Sequence, residues 1–135
     1  MTLIETVAVI FLLAILAAVA IPRLGFDSPS RTSLEGAAQM VASDIRYAQE
    51  FAMAHRVSKS VNFTSGSALY TFTPSHSLDP SGRLPSGVTV GTTITFTFNS
   101  LGEPIAGGGA SVIVSGSGGS KTISVAQYTG KVSVN

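Results

Sequence analysis

Residues 1–22 read MTLIETVAVIFLLAILAAVAIP, and this stretch decides the architecture. No charged side chain occurs from Thr6 to Pro22, and the whole stretch holds one, Glu5. As a helix it spans ~33 Å, close to one hydrocarbon core. Its Ala, Leu, Ile and Val residues leave no polar face. A helix apolar on every side is either a membrane span or the core of something large. The rest of the chain is too small to enclose it. A cleaved secretory signal would need basic residues ahead of the apolar run, and none is present. An ordinary single-span anchor meets the length rule equally well.

Glu5 separates these readings. A carboxylate inside an apolar span costs free energy, less near an end where it reaches the interface. It therefore either snorkels to the headgroups or gains a cationic partner after leaving the lipid. No Lys or Arg is near it in sequence, so the available cation is an α-amino group at Met1, of the same chain or of a neighbour. Pro22 lacks the N–H that would bond residue 18 and clashes with that carbonyl. It predicts a kink or an unwound stretch before it, or a plain helix end, since Gly25 and Pro29 follow.

Thr-Leu at 2–3, Ile4, Glu5 and an apolar run closing on Ala20-Ile21-Pro22 resemble a mature type IV pilin or type II secretion pseudopilin. The resemblance implies that a prepilin peptidase cuts before Met1 and N-methylates it. It implies that Glu5 pairs with the N-terminal amine of an adjacent subunit and sets register. It also implies a helix that melts between Ala14 and Pro22; Ala14 stands where the family often has Gly. The partners it implies are further copies in a helical filament, the pilus or type II secretion assembly machinery, and the bacterial inner membrane before assembly. The filament would be periplasmic or extracellular.

Composition fits a small β head behind this helix. The chain has 135 residues, with 44% apolar, 11% charged and a net charge of +1. Typical soluble domains carry about 25% charged residues. Near-neutral charge gives no case for bulk nucleic-acid binding. Cysteine is absent, which excludes disulfide frameworks, zinc ribbons, iron–sulfur clusters and thiol catalysis.

Outward from residue 25 the pattern changes twice. Residues 26–30 read as a bend, with Ser30 or Ser33 as the cap of a second helix. Leu34, Ala38, Val41, Ile45, Ala48 and Ala52 then form one helical stripe with polar residues elsewhere, predicting a helix packed on a sheet. His55 and Arg56 suit its C-terminal end. From Val57 the period becomes two. About seven short strands alternate with Gly/Pro turns, and Phe51, Phe63, Phe72, Phe96 and Phe98 are core candidates. The expected fold is α+β: a hydrophobic spine helix over 1–25, its amphipathic continuation over 26–56, and an antiparallel β head over 57–135.

FNSLGEP at Phe98–Pro104 and TGKVSV at Thr129–Val134 resemble the GspH/FimT-like branch of the same superfamily. Some relatives there bind DNA through a C-terminal Gly-Arg-x-Arg motif. The matching positions are Gly130, Lys131, Val132 and Ser133, so one cation remains. The resemblance thus leaves a weak contact at Lys131 and otherwise no nucleic-acid partner. It reads as a filament subunit, or alternatively as a minor tip or priming pilin that binds DNA.

Chemistry-bearing constellations are absent. The only acids after Glu50 are Asp79 and Glu103, both in expected turns, which does not make a carboxylate pair for catalysis. Two histidines do not make a metal site. The acidic C-terminal loop that holds calcium in major pseudopilins has no counterpart. Gly107–Gly109 lacks the Lys of a phosphate loop. Neither enzyme activity nor a cofactor is expected. Asn62-Phe63-Thr64 matches a glycosylation sequon but falls in an expected strand.

Overall fold

The computed structural model describes residues 2–23 and 29–135, with side chains described for 2–19 and 33–135. Helix α1 covers Leu3–Arg23 and α2 covers Pro29–His55. Eight strands follow: β1 (Lys59–Phe63), β2 (Thr71–Thr73), β3 (Thr89–Val90), β4 (Ile94–Phe98), β5 (Pro104–Ala106), β6 (Ser111–Gly116), β7 (Gly119–Val125) and β8 (Val132–Val134). All pairings among them are antiparallel. They form two four-stranded sheets, ordered β2-β1-β4-β5 and β3-β6-β7-β8.

Helix α2 starts two residues before the expected Arg31. Pro29 stands at its first position, where a missing N–H costs nothing. Ser33 therefore lies inside the helix rather than at its cap. The stripe becomes the core: Leu34, Ala38, Val41, Ile45, Ala48 and Ala52 are all buried, joined by Ala37 and Ala42. Alanines on this face let the helix approach both sheets closely. Sheet one contributes Val61, Phe63, Phe72, Phe96 and Phe98, and sheet two contributes Val90, Val112, Val114, Ile123, Val125 and Val132. The helix ends on Arg56, whose φ of 55° is left-handed, while the Val57 N–H donates to Ala52 O at 3.2 Å. This is a Schellman-type stop with Arg in the glycine position. His55 Nδ1 lies 3.2 Å from Phe51 O, within the last helical turn.

Strand β5 was expected to be turn. Pro104 opens it, and it lies on a sheet edge, where a residue without an N–H is tolerated. The pairing of β4 with β5 carries a bulge between Thr97 and Phe98. The Asn62 side chain is engaged: its Nδ2 donates to Thr73 Oγ1 at 2.9 Å and its Oδ1 accepts from Thr95 Oγ1 at 3.1 Å. A cross-strand bracket explains this asparagine without a glycan.

Three polar side chains are buried or nearly so. Lys59 shares the inward phase of β1 with Val61 and Phe63, and it is 0% exposed. Its Nζ donates to Asp79 Oδ1 at 2.7 Å and to Pro74 O at 2.6 Å, and it sits 4.3 Å from the Phe51 ring centroid. Tyr47 donates to the same Asp79 oxygen at 2.9 Å, and the His76 N–H donates to Asp79 Oδ2 at 2.7 Å. Asp79 thus ties the loop after β2 to both α2 and β1. Asp44 is the third, accepting from Tyr70 Oη at 2.5 Å under the core. No buried side-chain polar atom among the described residues lacks a partner.

The two carboxylates respond oppositely to this surrounding. Burial pushes Asp79 up, but hydrogen bonds from Lys59, the His76 amide and Tyr47, with the Lys59 charge, outweigh it and hold Asp79 below its ordinary value. Burial holds Asp44 above its ordinary value, only partly offset by Tyr70. Tyr47 is pushed up to about 12 by burial and by Asp79. On the surface, Lys121 of β7 clips Glu35 of α2 at 2.9 Å.

The two turns carrying the FNSLGEP and TGKVSV segments meet on one amide. Gln49 Nε2 donates to Gly102 O at 2.7 Å and to Thr129 O at 3.0 Å. Gly102 and Gly130 have φ of 82° and 69°, conformations that glycine adopts freely. A Cβ on Gly130 would stand 2.6 Å from Gln49 Nε2 and 3.0 Å from Phe98 Cε1.

Two predictions follow from this head. Gly130→Ala adds backbone strain and displaces Gln49, so it should lower stability by about 2–3 kcal/mol in urea unfolding of the detergent-solubilised chain. A change below about 0.5 kcal/mol would mean that the turn rearranges freely. Asp79→Asn should cost about 3 kcal/mol at pH 7, because Lys59 stays buried without its counter-charge. The depressed Asp79 pKa contributes stability present above the ordinary Asp value, and this is lost as pH falls through the lower folded value. The gap between wild type and Asp79→Asn should therefore narrow in melts below about pH 4. A pH-independent gap would show that the carboxylate charge does not matter.

Candidate assembly surface

Helix α1 begins at a threonine cap. Thr2 O accepts from the Glu5 N–H at 3.1 Å and from the Thr6 N–H at 3.2 Å, and Thr2 Oγ1 stands 3.4 Å from Glu5 N. Thr-x-x-Glu at 2–5 is the spacing of a capping box. The Glu5 carboxylate does not complete the box. Among the described residues it has neither a hydrogen-bond donor nor a cation.

Every residue from Thr2 to Val19 is exposed. Leu3 is 85% exposed, Phe11 67% and Leu16 64%. Exposed large residues fall at 7, 9, 10, 11, 12, 13, 15, 16 and 19, which covers the full circumference of a helix. Each such side chain left in water forgoes about 1.5–3 kcal/mol of burial. The head uses α2 and leaves α1 to other partners.

The helix is continuous across Ala14 and includes Pro22 as its penultimate residue. The isolated chain is thus helical over the stretch that the resemblance expects to melt. Met1 and residues 24–28, with most of the bend expected at 26–30, lie outside the described residues, as do the side chains of Pro22 and Arg23. Within that description no helix is long and apolar enough to cross a membrane. Helix α1 as a whole runs 21 residues.

Lys131 is exposed just before β8, with its N–H 3.3 Å from Thr129 Oγ1. The cation nearest to the following residue comes from α2: Arg46 Nη2 donates to Val132 O at 3.1 Å. Ser133 occupies the second basic position of the DNA motif. Gly130 is accounted for by the Gln49 turn. His55 and His76 flank Phe51 with ring centroids 5.8 Å apart. Among the described residues, no three metal-ligating side chains gather.

A helical spine joined to a two-sheet antiparallel head built on the second helix is the type IV pilin fold. Among solved structures, the chain is similar to the type IV minor pilin FimU of Pseudomonas aeruginosa in two crystal forms. One gives a TM-score of 0.59 at 15% identity, covering 78% of this chain and 90% of FimU. The other gives 0.56 at 16% identity, covering 76% and 92%. At such identities the likeness is one of fold. No protein-family model matches the chain, and no curated protein does.

Around the Gly130–Ser133 segment, Lys131 is exposed and Arg46 is engaged with Val132 O, so a DNA contact at that segment would neutralise one or two phosphates. The slope of log Kobs against log[salt] for duplex DNA should be no steeper than about −2, and Lys131→Ala should remove about one unit of it. A steep slope that Lys131→Ala leaves unchanged would place any DNA surface elsewhere.

Proposed function

We propose that this chain is a structural, non-enzymatic subunit of a type IV pilus-like or type II secretion pseudopilus filament. The observation that carries the reading is α1, apolar and exposed on every side, attached to a head of pilin fold that does not bury it. Before assembly the N-terminal stretch resides in the bacterial inner membrane, where its 1–22 sequence matches the hydrocarbon thickness. A prepilin peptidase exposes and methylates Met1. Assembly machinery then moves α1 from lipid into a bundle of identical helices. The Glu5 carboxylate, without a partner among the described residues, takes the N-terminal amine of a neighbour, which fixes axial register. Locally unwinding between Ala14 and Pro22 fits α1 to that bundle. Most apolar area passes from lipid to protein, so packing and the Glu5 pair supply more of the specificity than hydrophobic transfer does.

A second reading, a minor subunit near the tip or in priming, is favoured by one observation: both similar structures are minor pilins. Abundance separates the two. In the minor case a trace of the chain is found beside another dominant subunit, and a weak DNA contact at Lys131 belongs to it.

Glu5→Ala and Glu5→Gln should both leave the chain in the membrane fraction while abolishing its recovery in filaments sheared from cells. Mass spectrometry of those filaments should find wild type beginning at Met1 with one added methyl group. Recovery of Glu5→Ala in filaments at the wild-type level would reduce α1 to a membrane anchor.

A further inference from the structure

The two ends of the head carry unlike surfaces. Where α2 finishes, the Asn99–Glu103 turn sits against Gln49 and Met53. Leu101 at its apex is 74% exposed. Glu103 beside it is exposed, accepts from Asn99 Nδ2 at 3.2 Å, and faces no cation among the described residues. The turn is pre-set: Asn99 Oδ1 accepts from the Leu101 N–H at 2.9 Å and from the Glu103 N–H at 3.0 Å.

At the opposite end, Ala68–Leu69 and the Arg83–Thr89 loop enclose a cleft of about 380 Å³. Leu69 and Pro85 wall it, and Leu69 is 48% exposed. Arg83 lines it with an exposed side chain that has no acidic partner among the described residues. Strand register locates the cleft. Val90 pairs with Val114, Val114 pairs with Lys121, and Lys121 binds Glu35 near the start of α2. From Glu35 to Met53 the helix rises ~27 Å.

We propose that the Leu101–Glu103 corner of one copy seats in the Leu69–Arg83 cleft of the next copy, stacking heads end to end along the filament. This rests on the filament reading above. Unlike surfaces at opposite ends of one subunit are the condition for a heterologous contact. Repeated without closure, that contact generates an open helical array. Charge selects the corner. The same end of the head also carries Tyr128, 79% exposed, and Lys131 beyond it. Lys131 would face Arg83 with like charge, whereas Glu103 faces it with opposite charge. The pre-set turn presents Leu101 at little ordering cost. A corner and a cleft of this size fall well below the ~1,000 Å² that a free-standing interface needs. The contact therefore forms where α1 packing already holds two copies together and raises their effective concentration.

Cysteine is absent from the chain, so Leu101→Cys with Ser86→Cys introduces the only two thiols. Both positions are exposed, and Ser86 lines the cleft. In filaments sheared from cells expressing the double variant, oxidation or a short bis-maleimide should produce a ladder of dimers and higher multimers. Either single variant should give no ladder. Incorporated double variant without a ladder, or with links only to a different protein, overturns the stacking contact and leaves the filament reading standing. Failure of wild type itself to enter filaments overturns both. A charge swap gives a second readout. Arg83→Glu and Glu103→Arg should each cause a severalfold loss of intact filaments at low salt, and their combination should restore the yield. Equal yields in all four proteins would overturn the contact as well.

Discussion

The apolar surface of α1 has nowhere to go within its own chain, and this constraint organises the molecule. A head built on residues 29–135 has one helix face to spend on its core, and α2 supplies it. The stripe of Leu34, Val41, Ile45 and the alanines is saturated by two sheets. In this structure α1 stays exposed from Leu3 to Val19 while that stripe is covered. Folding of the head and burial of α1 are thus separate events, served by different partners.

Polar side chains do the positioning within the head. Gln49 joins the β4–β5 turn to the β7–β8 turn, and Asp79 joins a loop to the helix and to β1. Both devices act where α2 ends, so the far end of the head is a set of loops pinned to one helix rather than a set of free loops. A buried ion pair such as Lys59–Asp79 contributes modestly to net stability, because desolvation consumes most of the attraction. Its value is geometric: a misplaced loop would leave Lys59 buried without a counter-charge. Asp44, held above its ordinary value beneath Tyr70, works against the head at neutral pH and is relieved as pH falls. The two carboxylates thus pull the acid response of the head in opposite directions.

Much of this fold was legible because it rests on periodicity. The all-apolar run, the four-three stripe of α2 and the alternating strands are one-dimensional signals, and the five core phenylalanines follow from them. What stayed hidden depends on contacts distant in sequence. Lys59 falls on the inward phase of a strand with Val61 and Phe63, and what neutralises it there, Asp79, lies twenty residues on. Asp44 looks solvent-facing until Tyr70 covers it. Strand β5 was masked by Pro104, since a proline beside glycines reads as turn unless the edge position is known. Division into two sheets is a property of pairing, which alternation does not encode. At the assembly surface, Glu5 was legible from position alone, while the role of Thr2 as cap needed the helix start to be seen. For Lys131, the structure adds an exposed side chain and a preceding glycine where a Cβ would meet Gln49 and Phe98.

The separation of spine from head has a consequence for how a filament of such subunits would hold together. Helices apolar on every side pack adhesively but with little preference for axial position, since sliding one residue exchanges Leu for Val or Ile at similar cost. Two features resist sliding. In the proposed filament, a single carboxylate near the N-terminus would be satisfied in one register only. The heads are rigid at the far end because Gln49 and Asp79 pin their loops, so any contact between them is likewise satisfied at one displacement. Register is then specified at both ends of the subunit, by charge in the bundle and by shape at the surface, while the featureless middle supplies cohesion. Because the middle would not specify register, the proposed unwinding of α1 between Ala14 and Pro22 would leave both specifying ends intact.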